Sequence, residues 1–214
     1  MPDAARKPYI VGGNSRRCPL MRLLPALMTA LLVWPAAAEE SGEPLLEKIL
    51  GSADAPHEII EYASLSCPHC AAFHNESLPD IKSRFIDTGQ VRLVFRDFPL
   101  DQPALTGSML AHCQPDKHFF PVLEQLFAHQ TKWAYADAPK DVLKEIFLQF
   151  GISADDVDAC FADTEANRAR LNRILNTRMD GQNRMDVDST PTFFVNGSKV
   201  DGRFDADTLA ELIE

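Results

Sequence analysis

The most constraining feature of this chain is the motif Cys-Pro-His-Cys at residues 67–70, which stands between two segments of different apolar periodicity. The segment just upstream, residues 57–63, is short and contains two adjacent β-branched isoleucines, which is typical of a buried strand. Downstream, apolar residues recur every three to four positions, as they do on one face of a helix. Cys67 is therefore predicted at or near the N-cap of a helix, with Pro68 near its first position, where a missing N–H is harmless.

A thiol at a helix N-cap is predicted to be an activated thiol. It faces the positive end of the helix dipole and several unpaired backbone N–H groups, so the pKa of Cys67 should lie below its ordinary value. A protonated His69 adds a cation nearby. Cys70 lies one helical turn further on, within bridging distance, and is predicted to be the more buried, resolving thiol. Because a stabilised thiolate favours the reduced pair, the Cys67–Cys70 disulfide is predicted to oxidise other thiols.

Two other roles are open to a Cys-x-x-Cys pair, namely half of a zinc site and an inert structural bridge. A zinc site normally needs a second close pair of ligands, and the sequence contains none. His74, His112 and His118 are scattered without the spacing of metal ligands, so surface or helix-packing roles are predicted for them. A redox pair is therefore favoured, and neither a metal nor another bound cofactor is expected.

The N-terminal residues 1–38 have the pattern of a secretory signal peptide. Arginines precede an apolar run at 23–34, and alanines at 36–38 form an Ala-x-Ala site, so cleavage is expected after Ala38. Met21 is an alternative start to Met1, and a signal retained as a membrane anchor is the alternative to cleavage. The pattern predicts export to the periplasm, and the formal charge of −10 disfavours a nucleic-acid-binding protein.

Cleavage would remove Cys18 and leave four cysteines, an even number that indicates two disulfides in an oxidising compartment. Cys113 and Cys160 lie on different predicted helices and would form either a second redox pair or a structural disulfide. The structural role is favoured, because neither cysteine has a vicinal partner or a helix N-terminus to activate it. Closing that loop would stabilise the fold by roughly 4 kcal/mol on the chain-entropy model.

The rest of the chain has strand and helix patterns in a mixed α/β order. Residues 39–53 are a short N-terminal segment with a small amphipathic turn, which leaves no room for a long oligomerisation stalk, so a monomer is expected. Alternation predicts a strand at 91–96, and helical periodicity extends over 101–186, ending in a long helix at about 164–184. This block is predicted to be a helical insertion with its own small core. A hairpin turn at Asn196-Gly197 and a closing helix follow.

Two distant motifs and their order give the chain a family resemblance. Cys67-Pro68-His69-Cys70 after a strand, the helical block, Thr190-Pro191-Thr192-Phe193 and Asn196-Gly197 resemble the DsbA-like branch of the thioredoxin-fold thiol–disulfide oxidoreductases. The resemblance covers residues 54–214 and implies an α/β, thioredoxin-like fold with an inserted helical domain. In that fold, residues 54–100 and 187–214 would form the thioredoxin-like domain and residues 101–186 the insertion.

The same resemblance assigns roles to three further residues. By pattern alone Pro191 is a turn proline before a strand, whereas the family implies a cis peptide bond that lies against the active-site disulfide. Thr190 would offer backbone hydrogen bonds to an extended substrate chain. Glu61, six residues before Cys67, would be a buried acid that takes the proton of Cys70, and a surface carboxylate is the alternative.

The predicted function is that of a soluble exported oxidant, which donates its disulfide to reduced secreted or periplasmic proteins. By resemblance, a quinone-linked membrane partner would reoxidise it. Thr190 stands where the best-known oxidases of the family carry an apolar residue, so a disulfide isomerase or reductase of the same fold stays open. A redox-silent binding or chaperone module that uses the same groove is the alternative from another class.

Overall fold

The computed structural model describes residues 45–214. The predicted signal peptide at 1–38, both candidate start residues and Cys18 lie outside the described residues, as does the beginning of the segment 39–53. Within the described range, no helix is both long enough and apolar enough to cross a membrane.

A five-stranded mixed sheet forms the centre of the fold. Its strands are β1 (Glu47–Leu50), β2 (His57–Ala63), β3 (Val91–Asp97), β4 (Thr192–Val195) and β5 (Ser198–Val200). The spatial order is β1-β3-β2-β4-β5, with β2 and β3 parallel and the other neighbouring pairs antiparallel. The central strand β2 therefore carries the chain directly to the Cys-Pro-His-Cys motif.

The first strand corrects one prediction. The segment expected to form a small amphipathic turn instead contributes β1, which pairs with β3 so that Glu47 lies opposite Arg96. An ion pair fixes this register, because Arg96 Nε lies 2.7 Å from Glu47 Oε1. A strand of four residues is too short for its own alternation to be recognised, and it is stabilised by a partner far along the chain.

Helices cover both faces of the sheet. They are α1 (Pro68–Ala72), α2 (Leu78–Ile81), α3 (Gln102–Cys113), α4 (Phe119–Ala128), α5 (Gln130–Trp133), α6 (Pro139–Leu148), α7 (Ala154–Ala159), α8 (Glu165–Arg184) and α9 (Ala206–Ile213). The helical character predicted between β3 and β4 is present from α3 to α8. The long helix predicted near 164–184 is confirmed as α8, and Thr164 caps it by accepting a hydrogen bond from the backbone N–H of Asn167.

The helix that follows the motif is interrupted, which its apolar periodicity did not reveal. α1 continues through a π-helical turn at Phe73–Ser77 into α2, and a second π-helical turn at Lys82–Ile86 follows. In the first of these turns the backbone N–H of Leu78 bonds to the carbonyl of Phe73. Pro79 contributes to the irregularity, because it has no N–H to continue the regular hydrogen-bond pattern of an α-helix.

The helices between β3 and β4 do not have a core of their own. Buried residues of these helices, such as Leu123, Trp133 and Phe147, form one apolar cluster with Cys70 of α1 and Phe95 of β3. The prediction of a separate small core is therefore wrong. The apolar faces of these helices are completed by the active-site helix and the sheet, so both cysteines of the motif belong to this core cluster.

Candidate active site

The structure places the motif at the start of α1, as predicted. Cys67 is the N-cap residue with an extended backbone (φ −78°, ψ 122°), and Pro68 is the first helical residue. Cys67 retains 7% of its surface, whereas Cys70 is fully buried. Both cysteines are free thiols in this structure. The more exposed thiol is therefore the one that an incoming sulfur can reach.

Hydrogen bonds stabilise the ionised form of Cys67. They lower the pKa of its thiol to about 5, with the largest contribution from the Cys70 thiol and smaller ones from the Thr190 side chain and two backbone N–H groups. Burial opposes this effect without cancelling it. One of the N–H groups belongs to His69, whose side chain is exposed. His69 thus acts on the thiolate here through its backbone.

The pKa of the second thiol, Cys70, is shifted in the opposite direction. Burial raises the pKa of Cys70 well above its ordinary value, the hydrogen bond to Cys67 raises it further, and so does the negative charge of Glu61. At neutral pH the pair therefore holds one negative charge on Cys67 and one proton on Cys70. A nucleophile and a proton-retaining partner are combined within one helical turn.

The segment before β4 lies against Cys67. The Thr190–Pro191 peptide bond is cis, as the family resemblance implied. Cys67 Sγ lies 3.1 Å from the backbone oxygen of Thr190, to which the thiol donates a hydrogen bond when it is protonated. The Thr190 hydroxyl is buried without another hydrogen-bond partner among the described residues, so it is available to the thiolate. Thr190 and Pro191 line a groove of about 450 Å³, whose lining also includes Phe73 and Arg203.

A buried carboxylate lies behind the thiols. Glu61, on β2, has no exposed surface, and its two oxygens lie 3.1 and 3.0 Å from Nε2 of His74. The burial expected for Glu61 is therefore present, and a surface carboxylate is excluded. The partner was missed, because His74 had been predicted only as a surface or packing residue. Its position four residues after Cys70, on the same side of the helix, was the available signal.

A glutamine from the helical region holds the motif from the other side. The Gln130 amide donates hydrogen bonds to the carbonyls of Leu65 and Cys67, each at 2.9 Å. The Tyr135 hydroxyl donates to the intervening carbonyl of Ser66 at 3.2 Å. Three consecutive carbonyls around the nucleophile are thus held by side chains from a distant segment. No sequence pattern had indicated Gln130.

The other two cysteines form the predicted disulfide. Cys113, at the end of α3, and Cys160, directly after α7, are bonded across a separation of 47 residues. Neither sulfur can act as a nucleophile while that bond is intact. Among residues 45–214 there is also no group of three or more histidine, cysteine, aspartate or glutamate side chains arranged to hold a metal ion.

Comparison with known proteins gives consistent matches. Residues 46–214 match a protein-family model described as thioredoxin. A relative from Rickettsia conorii, which carries the name of a protein-disulfide oxidoreductase, is 30% identical over 171 residues, or 78% of this chain and 59% of the relative. The chain thus spans about three fifths of the length of that curated relative.

Solved structures match over more of their length. The crystal structure of Wolbachia pipientis alpha-DsbA1 is 30% identical with a TM-score of 0.70, covering 79% of this chain and 90% of the other. BdbD from Bacillus subtilis has a TM-score of 0.67 at 21% identity, covering 78% and 90%. The predicted fold class, an α/β thioredoxin-like fold with an inserted helical region, is confirmed.

Proposed function

Because this chain belongs to the DsbA-like family of thioredoxin-fold thiol–disulfide oxidoreductases, we propose that it oxidises thiol pairs of other proteins through a Cys67–Cys70 disulfide. The observation that carries the proposal is that the two neighbouring thiols have pKa values shifted in opposite directions, lowered for Cys67 and raised for Cys70. A stable thiolate on Cys67 favours the reduced pair, so the disulfide readily accepts electrons.

The reaction proceeds in two exchange steps. A substrate thiolate attacks the Cys67 sulfur, the bond to Cys70 breaks, and Cys70 takes up a proton supplied by Glu61. The substrate's second thiolate then attacks its own sulfur in the mixed disulfide and releases Cys67 as a thiolate. Two electrons pass from the substrate thiols to the cysteine pair, and the substrate leaves with a disulfide.

The groove beside the thiols holds the substrate during this exchange. Thr190 presents its backbone to an extended substrate chain, and Pro191 keeps that segment against the reacting sulfurs. The groove lining combines apolar rings with the opposite charges of Glu76 and Arg203, which suits an unfolded polypeptide of mixed composition. The proposed substrates are therefore reduced secreted proteins.

The remaining assignments concern the cellular setting. We place the protein in the periplasm as a monomer, directed there by residues 1–38, with residues 101–186 as an insertion into the thioredoxin-like domain. Each turnover leaves two electrons on the cysteine pair, so a reoxidant is required. A quinone-linked membrane protein fits this need, and no bound cofactor is required on this chain.

A disulfide isomerase or reductase is the second candidate. Thr190 favours it, because the best-known oxidases of the family carry an apolar residue at this position before the cis proline. The reduction potential of the cysteine pair separates an oxidase from a reductase and from a redox-silent binding module. An oxidase is expected above about −180 mV, a reductase lies near about −270 mV, and a binding module shows no exchange.

The test equilibrates the protein with glutathione buffers and then assays oxidative refolding of reduced ribonuclease A. We expect a potential in the oxidising range and catalysed refolding that Cys67→Ala abolishes. Cys113→Ser with Cys160→Ser is the matched control, since it removes the other pair and should leave catalysis in place. A thioredoxin-like potential, or refolding that survives Cys67→Ala, contradicts the proposal.

A further inference from the structure

One buried side chain of the site has no part in the exchange steps described so far. His74 has 4% of its side chain exposed, and its Nε2 is hydrogen-bonded to both oxygens of Glu61. Its ring stacks on Phe127 with the centroids 4.1 Å apart, and Phe95 meets it edge-on at 6.1 Å. The imidazole is therefore held in one orientation against the buried carboxylate.

His74 also reaches an open cavity. The cavity has a volume of about 560 Å³, and His74 lines it together with Lys82 from the second π-helical turn and Glu124 from α4. Glu124 is exposed, and the Lys82 side chain is 45% exposed, so the cavity communicates with solvent. Glu61, in contrast, has no exposed surface and does not line the cavity. His74 thus contacts both the buried acid and the solvent side.

We propose that His74 carries protons between Glu61 and the solvent each time the Cys67–Cys70 pair changes its redox state. The inference rests on the proposed function and extends it to a proton path. A buried carboxylate that gives up a proton must regain one before the next turnover, and a direct exchange with water is blocked by its burial. An imidazole solves this problem, because one ring nitrogen can take up a proton while the other releases one.

The step is balanced in both directions. When a substrate thiolate breaks the disulfide, Cys70 gains a proton from Glu61, Glu61 regains it from Nε2 of His74, and Nδ1 takes one from the cavity. When the pair is reoxidised, Cys70 loses its proton along the same path and attacks the mixed disulfide on Cys67. Electrons move only between sulfur atoms.

A second buried acid–histidine pair offers a matched control. Asp97 Oδ2 and His112 Nε2 lie 2.5 Å apart, and each side chain is 1% exposed. Nδ1 of His112 is buried and has no hydrogen-bond partner among the described residues. This pair has the same chemical groups, but the buried Nδ1 of His112 cannot exchange a proton with solvent. Asp97 and His112 are also not among the main causes of the raised pKa of Cys70, whereas Glu61 is.

The experiment follows two phases of one reaction. The reduced protein is mixed with oxidised glutathione and quenched in acid at intervals, and mass spectrometry counts the mixed disulfide and the final disulfide. In the first phase the Cys67 thiolate attacks glutathione, which needs no proton transfer. In the second phase Cys70 must lose its proton before it attacks Cys67. Only the second phase depends on the proposed relay.

We expect His74→Ala to leave the first phase unchanged and to slow the second at pH 7 by about tenfold or more, since positioned proton transfer typically contributes that much or more. Added imidazole should enter the cavity and restore much of the lost rate. His74→Gln keeps a hydrogen-bond donor near Glu61 but cannot carry a proton, so it should slow the second phase as strongly. His112→Ala should leave both phases unchanged.

The other outcomes contradict either the proton relay or the proposed function. A wild-type second phase in His74→Gln overturns the relay, because the residue would then only position Glu61. Equal slowing by His112→Ala, or slowing in His74→Ala that imidazole does not relieve, overturns it as well. Failure of the unsubstituted protein to form the mixed disulfide contradicts the proposed function itself.

Discussion

The low pKa of Cys67 predicts a specific pH dependence of the stability of the reduced protein. The perturbation is a change from pH 4 to pH 7, during which the folded thiol, with a pKa of about 5, loses its proton. In the unfolded chain the same thiol, with an ordinary pKa of about 8.5, keeps its proton over this range. The unfolded state then binds more protons, so the free energy of unfolding rises with pH.

The size of this rise in the free energy of unfolding follows from the pH interval over which Cys67 is ionised only in the folded state. Two pH units lie between about 5 and 7, and each contributes about 1.4 kcal/mol, so the rise is about 3 kcal/mol. This stability is absent below the folded pKa and increases until about pH 8.5, where the unfolded thiol ionises too. At still higher pH, Cys70 reverses the trend, because its raised pKa keeps it protonated in the folded state.

The assay is urea unfolding of the reduced protein at both pH values, with Cys67→Ala treated identically. Every other titrating group is common to the two proteins, so the difference between their pH responses isolates the thiol. We expect the wild-type free energy of unfolding to rise by about 3 kcal/mol more than that of the variant. Equal rises in the two proteins would refute the argument for a stabilised thiolate.

The same stabilisation has a redox consequence. It applies to the reduced pair and not to the disulfide, so it makes the disulfide easier to reduce. At about 30 mV for each 1.4 kcal/mol, the pair should be about 60 mV more oxidising at pH 7 than a pair of ordinary thiols in the same fold.

Three further predictions concern residues outside the thiol pair. Gln130→Ala removes the donor of the buried Leu65 carbonyl and one of the two donors of the Cys67 carbonyl, which keeps the N–H of Ala71. It should therefore lower the free energy of unfolding by about 1–3 kcal/mol in urea and slow thiol exchange; unchanged exchange would contradict its positioning role. Gly181→Ala places a Cβ 2.6 Å from the ring of Tyr62, and thermal unfolding should show a loss of about 1–3 kcal/mol. Replacing Cys113 and Cys160 by serine should cost roughly 4 kcal/mol in urea unfolding, and a loss below about 1 kcal/mol would argue against a structural disulfide.

Local chemistry accounts for most of what the sequence predicted correctly. The N-cap position of Cys67 follows from a strand pattern, a proline and a helix pattern in immediate succession, and the structure agrees residue by residue. The burial of Cys70 follows from its helical spacing. The pairing of Cys113 with Cys160 required only that the other two cysteines be assigned to the motif. Each of these inferences depends only on the local sequence pattern or on the number of cysteines.

The features that escaped prediction depend on contacts between distant segments. β1 exists because β3, more than forty residues away, offers an edge with a matching arginine. Gln130 acts on carbonyls some sixty-five residues before it, and no periodicity marks a glutamine for that role. The position of His74 near Cys70 could have been predicted from their spacing, but its contact with Glu61 depends on how the helix packs on the sheet.

These distant contacts explain why the helical region matters to the thiol chemistry. A thiolate is stabilised by N–H groups only as long as the backbone keeps them pointed at the sulfur, and a mobile N-cap would lose part of that stabilisation. Gln130 holds the carbonyl of Cys67 in place, and apolar side chains of the helices bury Cys70 in a core cluster that they share with the sheet. The helices thus help to fix the backbone that contributes to the low pKa of Cys67, and they supply part of the burial that raises the pKa of Cys70. A thioredoxin-like sheet and active-site helix without them would present the same four residues with a smaller difference between the pKa values of the two thiols.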